Sequence, residues 1–285
     1  MVEHITSAQN PKIKELLALQ EKSRVRRERG LFVVEGRREL EHCVAAGFTV
    51  DTVFYCPAIF GDMLPGRGGH GLLGAESLTP SGECSQKSTP TPACERFIEV
   101  TPELYGKIAY RGGTEGIIAE VRARELTLED LRLGPEPLIV VLESVEKPGN
   151  LGAVLRSADA AGADAVIVCD PLTDLYNPNL IRSSLGGIFS VPCVATDSAS
   201  AIAWLKARGI RILTAQLQDS VWYYDSDMKR GTAIVIGTES TGLTGIWRVA
   251  ADEHIRIPML GRLDSLNASV SAAILLFEAV RQRNA

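Results

Sequence analysis

The alternation of apolar and polar positions changes character once along the chain. Up to about residue 124 the patterns are short and mixed. Apolar Ile13, Leu16 and Leu17 recur at helical spacing within Pro11–Gln20, behind a Ser7/Asn10 start signal. Leu31–Val34 reads as a strand, Arg37–Ala46 as a helix stopped by Gly47, and Thr52–Tyr55 as another strand. From Gly61 to Glu95 the period dissolves into Gly, Pro, Ser and Thr, and a stretch that long without structure reads as a mobile insertion, 61–95. Order resumes at Phe97-Ile98, continues through a helix over Pro102–Ala109 and ends in a strand over Gly116–Val121.

Residues 125–136 read as a linker with room for a short helix, closed by the Gly134-Pro-Glu-Pro137 break. Beyond it, strands and helices alternate. The strands are Leu138–Leu142, Ala165–Val168, Ile210–Thr214, Ala233–Ile236 and His254–Ile257; the helices are Leu151–Ala161, Asn179–Leu185, Ala199–Arg208 and Ser269–Arg283. Continuous Val/Ile strands alternating with helices predict a mostly parallel sheet covered on both faces. The expected organisation is a small α/β domain over 1–124, the linker, and a second α/β domain over 137–285.

Composition narrows the class without naming a function. With 285 residues, 45% apolar and 23% charged, the chain is long enough for two ordinary globular cores. No apolar run approaches the roughly 18 residues of a membrane span, and the first residues lack the layout of a secretory signal, so a cytoplasmic location is expected. The 6 cysteines show neither CxxC pairs nor metal-type spacing and read as free thiols, with Cys84 and Cys94 the only pair close enough in one loop for a bridge or metal; no metal is expected. The net charge of −5 does not suggest a general nucleic-acid coat, but phosphate binding needs only a local basic patch. Lys22-Ser-Arg24-Val-Arg26-Arg27-Glu-Arg29, followed by Arg37 and Arg38, is either such a patch or a solvated helix or loop face.

Three stretches carry candidate chemistry, each beyond the end of a strand, where open α/β sheets bind ligands. In the first, Pro148-Gly149-Asn150 leads into a helix carrying Gly152 and Arg156, with Asn150 expected as the N-cap. By itself this is an ordinary capped helix. In the second, Gly237-Thr-Glu239-Ser-Thr-Gly242-Leu follows a strand but lacks the P-loop ending and the dinucleotide fingerprint, so alone it is a turn. The third runs Ile257-Pro-Met259-Leu-Gly-Arg-Leu-Asp-Ser265-Leu-Asn267-Ala-Ser269 into a last helix. Val270, Ala273, Ile274, Phe277 and Val280 give that helix a core or interface face.

Together and in this order, the three stretches resemble the signature motifs of the SpoU-type RNA ribose 2′-O-methyltransferases of the SPOUT superfamily. Ile5-Thr-Ser-Ala-Gln-Asn-Pro-Lys-Ile-Lys and Leu31-Phe-Val-Val-Glu-Gly-Arg are similar to that family's L30e-like RNA-binding domain. The resemblance implies a catalytic α/β domain tied in a deep trefoil knot, S-adenosylmethionine as cofactor, and a homodimer formed through the C-terminal domain. It implies an enzyme methylating a ribose 2′-hydroxyl of structured RNA, ribosomal rather than transfer RNA. A transfer-RNA 2′-O-methyltransferase and a non-catalytic RNA-binding module on the same fold are the alternatives. A dehydrogenase is set aside, because Gly-Asn-Leu-Gly lacks the third glycine of the dinucleotide turn.

Residue by residue, the resemblance assigns catalysis to Arg156, Asn150, Ser265, Asn267 and Glu239. It assigns the cofactor pocket to Leu213, Thr214, Ala215, Gly237, Glu239, Ile257, Met259, Leu266 and Ser269. Arg182 is the expected phosphate contact, joined by Arg24, Arg26 and Arg27 if the basic patch meets RNA. The chain departs from the family with Thr238-Glu239 for the usual Asn-Glu, with the long insertion, and with Tyr110-Arg-Gly-Gly-Thr-Glu-Gly before a strand. The last two bear on which RNA is recognised, not on the reaction.

Overall fold

The computed structural model describes residues 3–60, 94, 96–110, 115–238, 241–262 and 265–285, which divide into two units, Met1–Arg124 and Glu125–Ala285. Most of the 61–95 stretch, including Cys84, therefore lies outside the described residues.

The first unit runs β1 (Glu3–Ile5), α1 (Pro11–Glu21), α2 (Ser23–Arg29), β2 (Leu31–Glu35), α3 (Arg37–Ala45), β3 (Val50–Tyr55), α4 (Pro57–Phe60), β4 (Arg96–Val100), α5 (Pro102–Ile108) and β5 (Ile117–Arg122). Its strands form one sheet in the order β1-β4-β3-β5-β2, with β5 antiparallel to both neighbours and the other pairs parallel. Helix α1 starts where Asn10 accepts the Lys12 amide at 2.9 Å and Pro11 supplies a preset first turn. Its Ile13, Leu16 and Leu19 are fully buried against Phe54, Ile98 and Leu104. A register shift between Val50 and Thr52 accompanies Asp51, whose buried carboxylate takes Arg96 at 2.7 Å and Arg122 at 2.8 Å.

The second unit continues with β6 (Leu138–Glu143), α6 (Pro148–Ala160), β7 (Ala165–Cys169), α7 (Pro178–Ser184), α8 (Gly187–Ser190), β8 (Cys193–Thr196), α9 (Ser198–Ala207), β9 (Arg211–Ala215), β10 (Val221–Trp222), β11 (Thr232–Ile236), α10 (Gly245–Ala250), β12 (Glu253–Arg256) and α11 (Ala268–Arg283). The 7 strands form an all-parallel sheet in the order β10-β12-β9-β11-β6-β7-β8. Strands β6, β7 and β11 are buried at every position, as helices on both faces require. Residues read as a linker join this unit: Leu128, Leu131 and Leu133 pack against its core.

Strand order explains where a ligand goes. From β6 the chain steps outward through β7 to β8, then α9 carries it back past β6 to β9. Strand β11 later fills the place between β9 and β6. The carboxyl ends of β6, β11, β9 and β12 thus surround a topological switch point, the usual crevice of such sheets. Strands β8 and β10 escaped the sequence pattern: β8 buries only Cys193 and Val194, and β10 is 2 residues long with both exposed.

Helix α11 buries a different stripe from the one read in the sequence as a core or interface face. Ala272, Leu275, Leu276 and Ala279 are its buried stripe, whereas Val270 and Phe277 are 45% and 48% exposed. The apolar face read from the sequence is therefore not the core face. Among the described residues no helix is long and apolar enough to cross a membrane, and no His/Cys/Asp/Glu cluster suited to a metal occurs.

Candidate active site

Two cavities adjoin at the switch point, sharing Gly237, Thr238 and Ala268 in their walls. The larger, of about 330 Å³, is walled by the chain leaving β9 (Ala215, Gln216), β11 (Ile236, Gly237) and β12 (Ile257, Met259), and by Ser265 and Leu266 ahead of α11. The smaller, of about 110 Å³, lies against Ser144, Lys147, Asn150 and Val154.

Local chemistry shapes both walls. Beyond β11, Thr238 and Gly242 exchange backbone hydrogen bonds at 3.3 and 3.1 Å, pinching the loop, with Gly242 at φ 68°. A side chain at Gly237 would collide with the Gly242 carbonyl and come within 2.6 Å of the Leu243 nitrogen, so only glycine fits there. Buried Glu143, at the end of β6, accepts from the Thr244 amide at 2.8 Å and its hydroxyl at 2.5 Å, tying this loop to the sheet. No motif points to that anchor, because its partners are 101 residues apart.

The first and third motifs meet directly. Asn267 donates its amide to the Asn150 side-chain oxygen at 3.2 Å. Asn267 also caps α11, accepting from the Ser269 amide at 3.0 Å and hydroxyl at 2.6 Å. Asn150 is not the cap the sequence suggested. Pro148 begins the helix, the N-cap position falls on Lys147 without a side-chain bond, and Asn150 sits in the first turn facing the smaller cavity. A side chain at Gly152 would meet the Ser184 nitrogen at 2.8 Å, so this glycine lets α6 and α7 approach closely.

Of the residues expected at the cofactor pocket, Ala215, Gly237, Ile257, Met259 and Leu266 line the larger cavity, and so does Ser265 from the catalytic set. Leu213 and Thr214 do not: both are fully buried within β9, where Thr214 Oγ1 lies 2.6 Å from His254 Nδ1. Ser269 is engaged with Asn267 and lines neither cavity, while Glu239 lies outside the described residues.

Arg156 is exposed, has no side-chain partner among the described residues and lines neither cavity. Six residues of helix separate it from Asn150, about 9 Å of rise and roughly 120° of turn, so the two side chains leave α6 in different directions. Arg182 is exposed on α7. In the first unit, Arg24 is exposed and pairs with Glu28 at 2.6 Å, and Arg27 is exposed. Arg26 corrects the sequence reading: it is 4% exposed and donates to the carbonyls of Leu19 at 2.6 Å and Gln20 at 3.2 Å. A guanidinium spent on the end of α1 is not offered to phosphate.

The larger cavity suits a nucleoside-like cofactor such as S-adenosylmethionine. Its size falls in the usual range for small-ligand sites, roughly 300–1,000 Å³, with apolar walls and a few polar groups. Those groups include the side chains of Gln216, Arg248 and Ser265, which offer both donors and acceptors. Apolar walls with a few such groups suit a flat base joined to a polar chain.

Comparison with known proteins agrees with this geometry. Residues 137–277 match the model of the SpoU rRNA Methylase family, and residues 10–119 match the MRM3-like substrate binding domain. The 23S rRNA (guanosine-2′-O-)-methyltransferase RlmB of Ralstonia nicotianae is 36% identical, over 66% of this chain and 78% of its own. The 23S rRNA (uridine(2479)-2′-O)-methyltransferase of Streptomyces viridochromogenes is 33% identical, over 65% and 67%. Among solved structures, an RNA 2′-O ribose methyltransferase matches with TM-score 0.77 and 36% identity over 99% of this chain and all of its own. The AdoMet-bound rRNA methyltransferase from Sinorhizobium meliloti matches with TM-score 0.81 and 28% identity over 98% of both chains. Both the fold and the site lead to one assignment: the chain belongs to the SpoU rRNA methylase family.

Proposed function

We propose that this protein transfers a methyl group from S-adenosylmethionine to a ribose 2′-hydroxyl of 23S-type ribosomal RNA. The observation that carries the reading is the pair of adjoining cavities, built from all three motifs and joined through the Asn267–Asn150 hydrogen bond. The larger would hold the cofactor against Ala215, Gly237, Ile257, Met259 and Leu266, and Glu239 follows Gly237 by two positions in the sequence. The smaller opens on Asn150 and would receive the target ribose. Relatives named as 23S rRNA 2′-O-methyltransferases favour ribosomal over transfer RNA, and cytoplasmic action follows from such a substrate.

Bound S-adenosylmethionine supplies an electrophilic methyl group on a sulfonium. A ribose hydroxyl is a poor nucleophile until its forming negative charge is stabilised and it is held in line. Asn150 and Asn267 orient the ribose, with Ser265 on the cavity wall. Arg156 stays protonated at any working pH, so it acts as an electrostatic partner of the forming alkoxide while the proton leaves to phosphate or water.

A homodimer belongs to the same reading. Arg156 is exposed and lines neither cavity of its own chain, and α11 exposes Val270 and Phe277, so a second copy packed on these helices would supply one chain's Arg156 to the other's site. Arg182, Arg24 and Arg27 would hold RNA phosphates, the latter two from the L30e-like unit. The trefoil knot is also part of the reading: the chain leaves β12 on the far side of β9 and returns to α11, which packs on α6 and β11.

The test is methyl transfer from labelled cofactor to 23S rRNA, ribosome assembly intermediates and transfer RNA, followed by nucleoside identification. The expected product is a 2′-O-methylnucleoside in 23S rRNA. Label confined to transfer RNA, or none despite measurable cofactor binding, overturns the assignment.

A further inference from the structure

The edge of the parallel sheet carries a group of aromatic rings that the cofactor and catalytic motifs do not use. Strand β10 is a two-residue edge strand paired with β12, and the chain there reads Val221-Trp-Tyr-Tyr224. Val221, Trp222 and Tyr224 are 40%, 37% and 46% exposed. Large apolar groups on a sheet edge invite unwanted association, so their presence calls for a use. The Trp222 and Tyr224 rings lie nearly parallel, 23° apart with centroids at 6.4 Å, and Tyr223 abuts Tyr224 edge-on at 5.1 Å.

Arg256 connects this shelf to the site. Its guanidinium lies 4.2 Å over the Trp222 ring, yet the same residue walls the larger cavity. Rings and cavity are therefore two sides of one side chain. Arg248, exposed and bonded to Gln218 at 3.3 Å, adds a second cation at the cavity wall. Asp219 and Asp225 lie exposed on the loop that carries the rings, which makes the surface a poor track for phosphates. Flat π faces beside a guanidinium, in mixed charge, suit the face of a nucleobase.

We propose that the Trp222–Tyr224 shelf stacks an unpaired base of the RNA substrate and so holds the strand beside the cavity. The proposal rests on the RNA-methyltransferase reading but has its own readout. Trp204 and Trp247 are 5% and 0% exposed, so Trp222 is the exposed one of the 3 tryptophans. Titrating the full chain with a short single-stranded oligoribonucleotide should quench tryptophan fluorescence, and Trp222→Phe should abolish that quenching while retaining most RNA affinity. Trp222→Ala should raise the KM for RNA on the order of 10-fold, well beyond any change in cofactor affinity by calorimetry. An unquenched signal, or an unchanged KM in Trp222→Ala, overturns the shelf. So does loss of self-association in Trp222→Ala, which would assign the rings to a contact between copies. If the wild-type chain methylates no RNA the enzymatic reading fails, while the quenching titration still decides the shelf.

Discussion

Asn267 donates to Asn150 at 3.2 Å, tying the start of α11 to the first turn of α6 across 117 residues of chain. Asn267 meanwhile accepts from the Ser269 amide at 3.0 Å, so one side chain both caps a helix and holds a site residue. The two roles separate by substitution. Asn267→Asp keeps the cap but loses the amide donor, and it should lower kcat with little change in melting temperature. Asn267→Ala loses both and should also cost about 1 kcal/mol of stability, a melting shift of roughly 2–4 °C. Equal kcat in the Asp variant and wild type would remove Asn150 orientation from the mechanism.

Arg156→Ala should reduce methyl transfer by at least about 100-fold while leaving cofactor affinity within about 2-fold, since the proposed mechanism sets the guanidinium against the acceptor oxygen. Because Arg156 lines neither cavity of its own chain, co-expressing Arg156→Ala with a cofactor-site variant should restore activity in mixed dimers. Absence of rescue would refute supply of this arginine by a second copy.

Gly237→Ala should lower affinity for S-adenosylhomocysteine at least about 10-fold and destabilise the fold by about 1–3 kcal/mol, because its methyl group meets the backbone at Gly242 and Leu243. Gly149→Ala, where an added methyl finds nothing within 4 Å, should bind normally. Similar calorimetric titrations for both variants would contradict the steric argument.

The basic segment should divide in two. Arg26→Ala, which strips donors from the Leu19 and Gln20 carbonyls, should cost about 1–3 kcal/mol and leave the salt dependence of RNA binding unaltered. Arg24→Ala with Arg27→Ala should do the reverse, lowering the log–log salt slope by about 1 to 2. A slope unmoved by the double variant would return these arginines to plain solvation.

Glu120 makes stability depend on pH. Burial, followed by the charges of Glu15 and Asp51, pushes its carboxyl up to about 7, against the opposing pull of Arg96 and a Thr52 hydrogen bond. An unfolded carboxyl titrates near pH 4.3, so between there and about 7 only the folded chain keeps the proton, and stability falls as pH rises through that window. Above it the cost is complete, about 3 kcal/mol as an order of magnitude. Glu120→Gln should melt with wild type at pH 4 and several degrees above it at pH 8. A constant difference at both pH values would discard this account.

Much of this was legible in the chain itself. Strands such as Leu138–Glu143 and Thr232–Ile236 announce themselves because burial on both faces demands unbroken apolar runs. The glycines of the motifs mark close approach, and Gly237 proved to be such a place. Leu213 and Thr214 line neither cavity, because a motif locates the end of a strand only within a residue or two. The cavity begins at Ala215, the last residue of β9.

By itself, the sequence determined the alternation of strands and helices and the chain positions where loops could carry chemistry, since these depend on local periodicity and short-range sterics, while its three motifs carried the resemblance to the family. Only the tertiary structure decided that Asn267 reaches Asn150, that Glu143 anchors Thr244, that Arg26 turns inward, and that Arg156 lines neither cavity. Each depends on strand order, helix phase or a partner far along the chain. Side-chain direction in space is set by packing, which no local pattern contains.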